Sequence, residues 1–428
     1  MTRNQKARAR EQMEHAVARI GTVIALRDSQ KLTPLTGASV HLVHFSVCLV
    51  VAGSALISTS ATGQGWRPTA RLRADVRVDD NPFLLDTLHR ARLAAPSPSD
   101  SVNGRFREME SASDVITTPR LELGVEGRGL SGRTMVVTAG VKYELNSRNV
   151  ARRHSELQLE IAQSLRRGGE IRFTADWRPS YFHKNYLADA VDLDANGNIS
   201  SSERVYAAGT SHEVDLELRY RQRLLKATRH RLLGLSAELR GGYLDRRYDA
   251  PFPARGRKGP DVGGGVAIQM GPTVTLGLDY SVASLGGTPA PAILILDENR
   301  FGVDFNGNLT ATDSNARAAV LVDYSRVERQ LDASFRAAAG AATVIVEYGR
   351  RSRHFDSVQP YDVVNRGRRD VLKEITVDTE LRVSRDARLT LGVRRGAQTT
   401  NRAGDPASAG DVADYSRHVW WAGLRYRF

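Results

Sequence analysis

From Ala70 to Asp79 the chain alternates. Ala70, Leu72, Ala74, Val76 and Val78 interleave with Arg71, Arg73, Asp75, Arg77 and Asp79. A period of two puts the two sets on opposite faces of a strand. The pattern recurs downstream. Leu121, Leu123 and Val125 oppose Arg120 and Glu122, and the apolar positions from Met135 to Leu145 enclose Lys142 and Glu144. Leu157, Leu159 and Ile161 oppose Glu156, Gln158 and Glu160; Ile171, Phe173, Ala175 and Trp177 oppose Arg172, Thr174, Asp176 and Arg178. Val214, Leu216, Leu218 and Tyr220 oppose Asp215, Glu217, Arg219 and Arg221. Further candidates begin at Leu233, Val262, Val274, Val320, Val344, Ile375, Leu389 and Trp420. Between Tyr324 and Leu331 the apolar phase slips, so the strand expected within 316–336 is the least regular.

Candidate strands run to about 10–14 residues. The usual length in globular sheets is about 5–6 residues, and about 9–11 are needed to cross a bilayer. Connections alternate in length. The short ones are 127–132, 166–169, 225–231, 271–272, 337–341 and 385–387; the long ones are 80–113, 146–153, 183–211, 247–260, 285–315, 353–369 and 401–414. Six turns and seven loops join 14 strands, with 12–16 as the acceptable range given the slip. The expected fold is all-β: a single transmembrane antiparallel up-and-down β-barrel with short periplasmic turns and long extracellular loops. Aromatics near strand ends, among them Tyr143, Trp177, Tyr220, Tyr243, Tyr280 and Tyr348, fit an interfacial girdle.

Composition leaves this reading standing. The 428 residues are 41% hydrophobic and 25% charged, and mean hydropathy is -0.36. That excludes a helical membrane protein, which needs spans of about 20 apolar residues, but not a barrel that hides its apolarity in alternation. The formal charge is +13, with 54 Arg against 7 Lys. No zinc, helix-turn-helix or RNA-binding signature accompanies it, so no nucleic-acid partner is expected. Cys48 stands alone, which excludes an internal disulfide. Residues 1–63 are expected to be an N-terminal extension plus signal peptide, with a cationic lead, an apolar core at 45–57 and small-residue exits at 59–63. The rival is a membrane anchor over about residues 38–57. The barrel is expected to occupy 64–428.

The last strand carries a resemblance. Trp420, Ala422, Leu424, Tyr426 and Phe428 share one face, while Trp421, Gly423, Arg425 and Arg427 share the other. An aromatic-alternating segment ending on Phe resembles the C-terminal signal of bacterial outer-membrane β-barrels. The resemblance implies an outer-membrane location, outer-membrane lipid as a partner, and recognition of Trp420, Leu424, Tyr426 and Phe428 by the barrel-assembly machinery. At the other end, the Ala70–Asp79 strand runs into Asp80-Asn-Pro-Phe83. This looks like the start of the β-barrel porin type found in exopolysaccharide gene clusters. It implies passage of hydrophilic, small or polymeric solutes.

Two features could carry chemistry. Arg71, Arg73, Arg172, Arg219, Arg221, Arg425 and Arg427 fall on the expected lumen face, where an Arg excess would favour anions. Alternatively, these Arg and the interleaved Asp and Glu merely hold a packed lumen together. The second feature is Asp192-Leu-Asp194-Ala-Asn196-Gly197-Asn198-Ile199-Ser200-Ser-Ser-Glu203, which satisfies the whole EF-hand loop pattern. Asp192, Asp194, Asn196, Ser200 and Glu203 would offer side-chain oxygens and Asn198 its backbone carbonyl. Ordinary turn chemistry explains the same residues, so Ca²⁺ is a candidate ligand and no cofactor is required. His154-Ser155, Ser211-His212 and His354-Phe-Asp356 read as loop polarity, and no enzyme is expected. Two functions follow: a porin-like channel, or a closed structural or surface-binding barrel acting through its loops. A secreted soluble all-β protein is the third reading, and strand length argues against it. Oligomeric state is not legible.

Overall fold

A computed structural model describes residues 65–96, 104–129, 132–187, 206–226, 233–291, 321–358, 362, 365–401 and 414–428. The segment expected to be a signal peptide and the Asp192–Glu203 loop lie outside these residues. Fourteen strands close into an antiparallel barrel. They are β1 (Arg67–Asp79), β2 (Asp114–Arg128), β3 (Thr134–Asn146), β4 (His154–Ser164), β5 (Gly169–Leu187), β6 (Tyr206–Leu225) and β7 (Leu233–Tyr248). β8 (Arg257–Met270), β9 (Val274–Gly287), β10 (Arg326–Ala339), β11 (Ala342–Phe355), β12 (Arg369–Arg382), β13 (Ala387–Thr400) and β14 (Tyr415–Arg427) complete it. Each strand pairs with its sequence neighbours, and β1 pairs with β14. Closure leaves no open edge in the barrel, which is what a lipid environment demands.

The alternation is inverted relative to a soluble sheet. Leu72 is 46% exposed, Leu218 55%, Leu239 66% and Val262 62%, while the charged positions between them are mostly half-buried in the lumen. Of the exposed aromatics, Tyr143 and Tyr243 lie in the upper half of their strands, Tyr280, Tyr348 and Trp420 near the middle, and Tyr220 and Tyr426 lower. An exposed apolar belt bounded by aromatics, on a barrel without edges, places the protein in the outer membrane. The longer connections mark the extracellular end.

One predicted strand was misplaced. Val322 and Tyr324 do not belong to a barrel strand, and Val320 lies outside the described residues. Leu321–Val322 instead forms a two-residue ribbon with Ala290–Pro291, and Val322 and Tyr324 bury against Phe355. The true strand starts at Arg326 and turns Leu331 and Phe335 outward. The phase slip therefore marks the join between a loop core and a strand.

The first long loop is also built around a core. Asp86 caps helix α1 (Thr87–Ala94), and Phe83, Leu85, Leu93 and Met109 pack on Phe182 of β5. Asp86 accepts from His89 Nδ1 at 2.7 Å, and Arg105 lies 2.6 Å from His89 Nε2. An arginine can only donate there, so the imidazole is neutral with its proton on Nδ1. Burial and the nearby Arg105 charge hold its pKa below the ordinary value of 6.5, outweighing the Asp86 bond. A lowered histidine stabilises this neutral arrangement above about pH 6.5, and the contribution is lost as pH falls below that value. Tryptic cleavage after Arg90 and Arg92, measured relative to an unstructured peptide at each pH, is thus expected to rise between pH 7 and pH 5, and a flat ratio would refute the assignment.

Candidate functional site

The inward side chains form three tiers. In the periplasmic half lie all seven arginines singled out from sequence, and most meet a partner. Arg71 is 3.5 Å from Glu122 and Arg73 is 2.6 Å from Asp75. Arg172 pairs with Glu170 at 2.8 Å and Glu160 at 3.7 Å; Arg219 pairs with Glu217 at 2.8 Å and Glu238 at 3.3 Å. Arg427 is 3.9 Å from Glu126, and Arg221 donates to Ser236 Oγ at 3.4 Å. Arg425 faces Arg73 and Arg388 as well as Glu380 and Glu122. This tier is close to self-neutralised.

Above it is an acidic waist. Asp176 pairs in register with Asp215, and Asp279 with Asp332. Like charges directly opposite on neighbouring strands cost stability. Asp215 is also approached by Glu213, Asp261 and Glu217, and Glu347 by Asp378 and Asp332. Glycines make the room. Asp261, Asp279, Asp332, Asp378 and Asp75 lie in register with Gly242, Gly265, Gly349, Gly392 and Gly423. A Cβ built on Gly265 would sit 1.9 Å from Asp279 Oδ1, and one on Gly423 1.9 Å from Asp75 Oδ1. Each carboxylate lies back into the space a side chain would have filled. Trp421 joins the waist, donating from Nε1 to Asp378 at 2.9 Å.

On one side of the lumen a chain of ion pairs climbs from the waist: Arg77–Glu144–Lys142–Glu156–Arg178–Glu213–Arg246. It leads into the extracellular mouth, where a cavity of about 260 Å³ opens. Arg246, Arg257, Arg326, Arg353 and Arg368 line it from the strand ends, joined by Arg152, Lys184 and Arg255. Among the described residues Asp370 is the one carboxylate lining it, and Glu213 and Glu328 stand behind the wall, so eight described cations face three described carboxylates. Aromatic rings also cover several of the guanidinium groups. Arg152 lies 5.1 Å from both Phe83 and Tyr181, Arg255 lies 3.9 Å from Tyr186, and Arg368 lies 4.3 Å from Phe355. A ring attracts a cation without neutralising it.

Sequence reasoning therefore missed the mouth. Its signal was present as arginine runs at strand ends facing long loops, Arg246-Arg247, Arg255-Gly-Arg257, Arg350-Arg351-Ser-Arg353 and Arg366-Gly-Arg368-Arg369. Alternation inside strands does not weigh such ends. The proposed assembly residues Trp420, Leu424, Tyr426 and Phe428 line the outer face of β14, 47%, 52%, 41% and 71% exposed. Among the described residues no cluster of three or more His, Cys, Asp or Glu converges as a metal site.

No protein-family model matches the sequence, and no curated protein matches it. Solved structures resemble its architecture. An anion-selective porin from Comamonas acidovorans is 9% identical, covering 85% of this chain and 100% of its own, with a TM-score of 0.35. The CymD monoaromatic hydrocarbon channel is 10% identical over 84% of this chain and 88% of its own, at 0.41. The outer-membrane channel DcaP of Acinetobacter baumannii is 10% identical over 86% and 99%, at 0.38. The likeness concerns the fold, and the functional argument rests on this lumen.

Proposed function

We propose that the chain is a porin-like outer-membrane channel that favours anionic hydrophilic solutes, selecting them at its extracellular mouth. The carrying observation is the excess of cations over carboxylates around the mouth cavity. Like charges gathered at a constriction set ion selectivity, and low-dielectric walls focus their field. Passage is diffusion down a gradient, with no covalent step. Acidic saccharides fit the same mouth, and the exopolysaccharide link rests on the Ala70–Phe83 resemblance. Calcium at Asp192–Glu203 and recognition of the last strand by the assembly machinery are kept as parts of this proposal.

Planar-bilayer reversal potentials under a salt gradient test the reading. Anion preference is expected, and R326Q with R353Q should weaken it. Exchanging Arg71, Arg73, Arg219 and Arg221 for Gln should weaken it less, because most of those charges are already matched by carboxylates. A folded, heat-modifiable barrel that never conducts would overturn the channel. It would favour the closed, loop-acting barrel, for which the packing of the first loop on β5 speaks.

A further inference from the structure

We propose that the mouth cavity is a saturable binding site for a compact oxyanion carrying two or more negative charges, seated on Arg257 and Arg353. This deepens the channel reading by naming the solute class. Arg257 lines the cavity, yet among the described residues it has no ion-pair partner, and its buried Nε donates no hydrogen bond. Of its charged neighbours, Arg246 and Arg353 repel it, while Glu328 attracts it without forming an ion pair. The buried Nε of Arg353 is likewise without a hydrogen bond, and its nearest carboxylate, Glu328 at 3.5 Å, is shared with Arg326. A buried guanidinium with unmade hydrogen bonds is costly. An anion in the cavity supplies both the charge and the acceptors.

The wall also defines the ligand's chemistry. Because rings such as Tyr186 and Phe355 are covered by Arg255 and Arg368, they scaffold cations instead of offering free faces for stacking. Recognition is therefore by charge and by forked donors, which suit phosphoryl and carboxylate oxygens. A surplus of several cations selects against single charges. The cavity volume of about 260 Å³ gives room for a compact ligand with its hydration water.

The test pairs calorimetry on refolded, detergent-held protein with single-channel recording in potassium chloride. Inorganic phosphate and citrate are the probes, and acetate is the monovalent control. Saturable binding of both probes over acetate is expected, with a matching block of current from the mouth side. R257Q should weaken binding and block about tenfold or more, the size expected when one member of a buried charge contact is lost. R257K should fall between, and R385Q, exposed in the 385–387 turn, should leave the block unchanged. Heat-modifiability shows whether each variant folds; should R257Q misfold, R353Q carries the same expectation. Equal responses to phosphate and acetate, or an unchanged R257Q, overturn the site. Binding without conductance would leave the site standing and remove the channel; conductance without binding would do the reverse.

Discussion

Replacing Asp79 by alanine is expected to unfasten the barrel at its seam. The β1–β14 pairing joins strands from opposite ends of the chain, and nine register pairs run from Arg71–Arg427 to Asp79–Val419. At its extracellular end Asp79 is fully buried. It accepts two bonds from Arg417 Nε, at 3.0 and 3.1 Å, and another from Arg417 Nη2. It also accepts from the Asn81 amide at 3.0 Å. Asp80 accepts from the His418 amide at 2.7 Å, and Asn81 Nδ2 donates to the Ser416 carbonyl at 2.9 Å. The Asp79-Asp-Asn81 run is therefore a clasp on the first turn of contact with the last strand. Asp79→Ala leaves Arg417 without its carboxylate in a largely enclosed site, and stranding one member of a buried pair costs about 3–5 kcal/mol. The heat-modified band should appear at lower temperature, and the urea midpoint followed by tryptophan fluorescence should fall. R417Q should lose a similar amount, and the double variant much less than the sum, as partners in one interaction do. Additive losses would show that the clasp is not a unit.

The clasp shows where sequence reading stops. The run ending in Asn81-Pro-Phe83 was visible as a family-like string, but Arg417 lies 338 positions beyond Asp79, and nothing local announces that meeting. Strand count and face assignment were legible because a membrane barrel writes its two environments into every second residue. The loop core at Val322 and Tyr324 mimicked that code, since a buried loop also spaces its apolar residues, and only the broken phase at Leu331 betrayed it. The inward arginines Arg71, Arg73 and Arg219 were found; Arg73 and Arg219 meet Asp75 and Glu217 two places along their own strands, whereas the pairing of Arg71 with Glu122 depends on register. Alternation says which residues face inward and leaves open which cations stay unmatched. The waist was hidden for a different reason. Glycine reads as a strand breaker or a turn, and its use as a recess for a carboxylate appears only when Gly265 lies beside Asp279.

Neutralising that waist should change selectivity more than any substitution in the lower tier. Asp215, Asp261 and Asp279 form no ion pair among the described residues; Arg240 near Asp261 and Asp279 offsets their field only in part. An anion drawn in at the mouth must pass them, and the waist is the repulsive step between the cationic mouth and the nearly neutralised lower tier. The D215N, D261N, D279N triple variant keeps side-chain volume and removes three negative charges. Anion preference in the reversal potential is expected to rise, and conductance for chloride with it. Stability should rise as well, because Asp279 no longer opposes Asp332 as a like charge. The glycines provide the second arm. A Cβ at Gly265 would meet Asp279 Oδ1 at 1.9 Å and the Leu278 carbonyl at 3.0 Å, so Gly265→Ala must swing the carboxylate toward the pore axis. It should lower anion conductance while leaving net charge unaltered, opposite in sign to the triple variant. Identical reversal potentials in wild type and both variants would mean that the carboxylates are shielded from the permeation path, and that the waist serves only to pack the wall.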